Sequence, residues 1–87
     1  MRNKNFSVSI DKMKESIIID LSTLEKGYGK RKWAISRNTG IPIDILTVLL
    51  KQLKIEGKIK LIMIWDEENS TPNGSGYRLT NNLSYGI

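Results

Sequence analysis

Residues 33–59, WAISRNTGIPIDILTVLLKQLKIEGKI, decide the fold. Leu46, Leu49, Leu50 and Leu53 recur at i, i+3, i+4 and i+7, so on a helix all four fall on one stripe, and that stripe is core. Pro42 suits a first helical turn, because its missing N–H would have had no partner there and its φ is already helical; Thr39 or Gly40 would cap just before it. Gly57 supplies the left-handed residue that lets a helix stop, and Lys51, Lys54 and Lys58 gather where the C-terminal end of the dipole favours cations. The spacing predicts a helix over 42–56. A shorter apolar turn, Trp33 and Ile35, precedes it and stops at Asn38-Thr39-Gly40, so two helices share one tight turn, with Trp33 expected to plug the core.

Working outward, Ile10, Met13, Ile17, Ile18, Leu21 and Leu24 give a helical apolar face to an earlier helix that starts at Ser9 or Asp11 and ends at Gly27, with Ile19 off that face as surface. Residues 1–8 read as an arm. After Gly57, Lys58 to Trp65 has no helical period and reads as a strand with Ile59 and Leu61 inward. Asp66 to Ser75 reads as a loop in which Thr71-Pro72-Asn73-Gly74 is the turn signal, and Gly76 to Thr80 returns as a second strand. Residues 81–87 are a tail whose alternating Leu83, Tyr85 and Ile87 suit a strand or a dimer contact.

The segment TGIPIDILTVLLKQLKIEGKI resembles the helix-turn-helix of winged-helix transcription regulators, in particular the DNA-binding domains of the IclR family. Thr39, Gly40, Ile41, Pro42, Leu46, Leu49, Leu50, Leu53, Gly57 and Ile59 carry the likeness, and the following strand, loop and strand extend it over most of the chain. The resemblance implies an α+β fold, mainly α with a β-hairpin: a winged helix of three helices and a two- or three-stranded wing sheet, spanning 9–80. It also implies double-stranded DNA as partner and transcription regulation as role, without an effector domain.

Eighty-seven residues make one domain. A net charge of +5 and a pI near 9.6 favour a polyanionic partner. With no Cys and no His, thiolate metal sites and the commonest general base are absent, and no nucleophile with a base can be assembled, so neither enzyme, metal nor cofactor is expected. MRNKNFSVSI has no apolar core of a secretory signal, and the apolar run Leu61 to Trp65 is far short of the roughly 20 residues that span a bilayer. A cytoplasmic protein without a membrane partner is the expectation.

Between Lys26 and Arg37 there are five cations and no acid. In a winged helix this segment enters the second helix, whose N-terminus faces a phosphate, so the resemblance makes Lys30, Arg31, Lys32 and Arg37 backbone contacts, with Asn73 and Arg78 on the wing. At roughly 100° per residue, Asp44, Val48, Lys51 and Ile55 point most directly away from the leucine stripe, with Thr47 at their flank. In the major groove Asp44 would accept from cytosine, Thr47 and Val48 would touch thymine methyls, and Lys51 would reach guanine or a phosphate. Arg, Asn and Gln are missing from this face, and Asp66-Glu67-Glu68 places an acidic tip on the wing. An alternative reading is therefore a winged-helix module that binds protein through Val48 and Ile55. The first helix and the tail are the surfaces available for a homodimer.

Overall fold

The computed structural model describes residues 2–25, 28–66, 68–69 and 71–80, the side chains of 2–8, 65 and 66 excepted. Its elements are α1 (Arg2–Ser22), α2 (Lys32–Thr39), α3 (Ile43–Ile55), β1 (Ile59–Asp66) and β2 (Thr71–Leu79). This is a mixed α+β arrangement of three helices and one two-stranded antiparallel sheet.

The leucine stripe organises it. Leu46, Leu49, Leu50 and Leu53 are all buried, and around them close Ile17 and Leu21 of α1, Ile35 of α2, Ile41 of the intervening turn, Ile59 of β1 and Leu79 of β2. Ile59 and Leu79 are register partners, so the base of the hairpin is the floor of the helical core. Ile10, Met13 and Ile18 pack against this cluster half-buried, as their spacing on α1 requires, and Leu24, just beyond the helix, joins them, while Ile19 lies outside at 59% exposure.

Helix ends follow local chemistry. α3 stops where Gly57 takes φ 79°, with the Lys58 N–H donating back to the Leu53 carbonyl at 3.0 Å. Pro42 is the cap of α3 rather than its first-turn residue, and Gly40, at φ 80°, closes α2 by donating its N–H to Ser36 O at 2.8 Å. Thr39 likewise belongs to α2: its hydroxyl donates to Ile35 O at 2.7 Å. α1 departs from expectation at both ends. It begins at Arg2, so residues expected as an arm are helical, no Gly or Pro interrupting the stretch. It ends at Ser22, where the hydroxyls of Ser22 and Thr23 donate to the carbonyls of Ile19 and Asp20 and close the last turn before Gly27 is reached. Gly27 and the tail 81–87 lie outside the described residues.

The hairpin is longer than the sequence suggests. Thr71-Pro72-Asn73-Gly74, expected as a turn, lies within β2, where Trp65 pairs with Pro72 and Asp66 with Thr71. Between the pairs Met63–Ser75 and Trp65–Pro72, β2 has one more residue than β1, and Gly74 at φ 85° absorbs it as a bulge. Only the first inward residue of β1 meets the helices: Ile59 is buried, but Leu61 on the same face is 46% exposed. On the other face Ile62 and Ile64 are half-buried against Gly29 and Gly76, where a Cβ would fall 2.9 Å from Ile62 Cγ1 and 2.7 Å from Ile64 Cδ1 respectively. Gly29 thus lets the α1–α2 connector lie on the sheet. The next residue, Lys30, forms a bridge to Tyr77, exchanging both backbone hydrogen bonds at 2.9 and 2.8 Å.

A surface tie joins α1 to the end of α3, Lys14 Nζ donating to Glu56 Oε2 at 2.9 Å; this hydrogen bond is the main cause that lowers the Glu56 pKa. Among the described residues no helix is long and apolar enough to cross a membrane.

Truncating the stripe and truncating the outer face should separate cleanly. Leu50→Ala is expected to cost about 2–5 kcal/mol in chemical denaturation, because a cavity opens where nothing else can collapse into it. Ile55→Ala, at 77% exposure, should stay within about 0.5 kcal/mol.

Candidate nucleic-acid interface

The α2–turn–α3 unit fixes where the predicted site residues fall. Ile41 is buried in the turn, and the Ser36 hydroxyl donates to its carbonyl at 2.6 Å, so α3 leaves the turn with its leucines inward and Asp44, Thr47, Val48 and Lys51 exposed. These four share one surface, as the spacing predicts. Ile43 and Ile45 join them at 45% and 42% exposure, flanking the outward direction.

The cations expected on phosphates do not act as one group. Lys30 turns back to α1, where its Nζ meets Asp20 Oδ1 at 2.9 Å, both side chains being largely buried; Asn38 donates to the same oxygen at 3.2 Å. Its charge is neutralised inside the fold. Arg31, the cap residue of α2, donates from a guanidinium nitrogen to the Asn73 carbonyl and so clamps α2 to the bulge of β2. A Cβ at Gly74 would fall 2.7 Å from that guanidinium, a second reason for glycine there. Lys32 points the third way, its Nζ donating to Thr47 Oγ1 of α3 at 3.0 Å. Three successive residues thus tie the start of α2 to α1, to the hairpin and to α3.

Arg37 is exposed near the end of α2, its guanidinium 4.7 Å above the centre of the Trp33 ring. Trp33, expected in the core, is instead 55% exposed. The reason is angular: Trp33 lies about 200° around the helix from Ile35, so the two cannot both face inward, and it shares the outer face with Arg37 four residues on. Arg78 is half-buried and donates to the Tyr28 carbonyl at 3.3 Å, while Asn73 is exposed. Lys60, absent from the sequence-based set, pairs in register with Arg78 and adds an exposed cation on the sheet; the alternation of its strand carried that signal.

The acid on the outer face is Asp44, in the first turn of α3, with Oδ1 accepting the Ile45 N–H at 3.0 Å. Next to it, between the N-terminal half of α3 and α1, runs an open groove of about 290 Å³ lined by Ile10, Met13, Ile45, Val48 and Leu49, with Asp44 and Gln52 at its edge. Sequence reasoning placed Val48 on the surface but not this groove, because it forms only where α1 stands away from α3.

If Arg31 is a clamp, Arg31→Ala should speed amide exchange at Asn73, Gly74 and Ser75 several-fold while leaving the amides around Leu49 and Leu50 unchanged. Uniform acceleration, or none, would count against the clamp.

Comparison with known proteins finds no match to a family model, a curated protein or a solved structure.

Proposed function

We propose that this chain is a winged-helix protein that binds double-stranded DNA, in the manner of a small transcription regulator, with α3 in the major groove. The observation that carries the reading is the α2–turn–α3 pair, whose second helix offers an exposed outward face edged by Lys32 and Lys51 and flanked at Val48 by the groove along α1. Chain order supports it: a connector strand residue bridges the outer edge of β2, giving the sequence connector, β2, β1 beside three helices. Charge supports it too, since residues 32–55 hold four cations, Lys32, Arg37, Lys51 and Lys54, and the single acid Asp44.

The phosphate contacts are then Lys32, Arg37 and Lys51, with Lys60 and Arg78 from the sheet where the duplex curves toward it. Lys30 is withheld by its ion pair with Asp20, whereas Arg31, like Arg78, is hydrogen-bonded to a backbone carbonyl. Asp44, Thr47 and Val48 face base edges. Anisotropy titration of a mixed-sequence duplex should give micromolar binding that falls steeply with salt. Replacing Lys32, Arg37 and Lys51 together by Ala should weaken all sequences and reduce the slope of log K against log salt by about 0.9 for each contact removed. An unchanged slope would remove these residues from the interface.

A second reading, a protein-interaction module, is favoured by one observation, the apolar groove beside Val48. Val48→Asp divides the two. On the DNA reading it puts a second acid in the groove and lowers duplex affinity at least tenfold; on the protein reading duplex affinity, if any, is unaffected.

A further inference from the structure

The first two turns of α3 leave no side chain able to donate a hydrogen bond outward. Ile43, Ile45 and Val48 are aliphatic and 45%, 42% and 54% exposed. Asp44, as a carboxylate, only accepts. Thr47 is the one hydroxyl, and it is occupied: Oγ1 donates to the Ile43 carbonyl at 2.8 Å and accepts from Lys32 Nζ at 3.0 Å. What Thr47 has left to offer is its methyl group.

Such a surface is selective in a major groove. Every base pair shows two acceptors and one amino donor there, so covering the acceptors with aliphatic groups costs the same at A·T and G·C, and what sets A·T apart is the thymine C5-methyl. That methyl suits Val48, Thr47 and the isoleucines, whereas Asp44 accepts from adenine N6 or cytosine N4 alike and adds no preference between the pairs. The surroundings suit a polyanion better than an apolar protein. Lys32 is held at one edge by Thr47, Lys51 lies one turn beyond Val48, and Arg37 is exposed on α2.

We propose that α3 is a methyl reader: it recognises A·T pairs through thymine C5-methyl groups, with Ile43, Thr47 and Val48 as contacts and Asp44 as a non-selective acceptor for a base amino group. The proposal rests on the DNA-binding reading above and names the ligand chemistry of the same site.

Four duplexes of equal length test it by fluorescence anisotropy: an A·T-rich sequence, the same with every thymine replaced by uracil, a G·C-rich sequence, and the same with 5-methylcytosine for cytosine. Each methyl buried contributes about fourfold in affinity. Two such contacts make the uracil duplex roughly fifteenfold weaker than its thymine counterpart, and 5-methylcytosine, which carries its methyl at the same groove position, restores part of that to the G·C duplex. Val48→Ala, at an exposed position, should shrink the thymine-to-uracil ratio severalfold while leaving the unfolding temperature within about 4 °C. Equal affinity for thymine and uracil duplexes, or tightest binding to unmodified G·C, overturns the methyl reader and leaves DNA binding standing. Failure to bind any of the four at low salt overturns both and returns the face to a protein partner.

Discussion

The rest of the molecule depends on the burial of Ile41 in a turn of three residues between two helices. Gly40 takes a left-handed conformation that few other residues adopt without strain, and the chain reverses tightly enough to drop Ile41 into the core at 4% exposure. The turn's polar groups are supplied from α2: Ser36 donates to the Ile41 carbonyl, and Thr39 Oγ1 accepts the Ile41 N–H at 3.3 Å. Once Ile41 is seated, the roll of α3 is no longer free. A roll by one residue, about 100°, would carry leucines to solvent and Asp44 toward the core, so the chemistry of the outer face is a consequence of the inner one.

The second constraint is the use of charge as structure. Lys30, Arg31 and Lys32 are adjacent in sequence, but the chain passes there from extended connector, at Arg31, into α2, at Lys32, so the three side chains point in different directions. One cation is spent on Asp20, one on the hairpin and one on α3. A largely buried ion pair such as Lys30–Asp20 is a poor source of net stability, because desolvation offsets most of the attraction. Its effect is on register. With Asn38 sharing the same oxygen and Lys30 bridged to Tyr77, the connector cannot slide along β2 without abandoning a buried charge. Asp20 Oδ2 is buried with no hydrogen-bond partner among the described residues.

How legible this was in the sequence differs by element, for physical reasons. α3, the leucine stripe and the stop at Gly57 were legible because a helix of thirteen residues repeats its period often enough to fix its face. α2, with eight residues, offers barely two turns, and the choice between Trp33 and Ile35 is made by α1 and the turn, which local spacing does not contain. Thr71 to Gly74 carries turn residues, yet Gly74's positive φ is used for a bulge inside a strand, which is the same backbone conformation in another setting. The outward residues Asp44, Thr47, Val48 and Lys51 were read correctly as a set. The internal partners of Lys30 and Arg31 were not legible, because ion pairing and clamping are decided by residues 10 and 42 positions away.

An exposed aliphatic face costs solubility, and this fold had the means to avoid it. Ile43, Ile45 and Val48 are exposed among the described residues, where a polar residue of helical propensity would serve the fold as well, so the face suits a contact that covers it. A purely apolar partner fits the groove along α1 but leaves Lys32 and Lys51 at the edge of a dry contact, where unpaired cations are costly. Duplex DNA meets both requirements together. It brings phosphates to the cations, and in the major groove its apolar group, the thymine methyl, lies within a few ångströms of a donor that an acid such as Asp44 can accept from. On the proposed DNA-binding reading, the apolar character that sets this helix apart from donor-rich readers would be its means of discrimination.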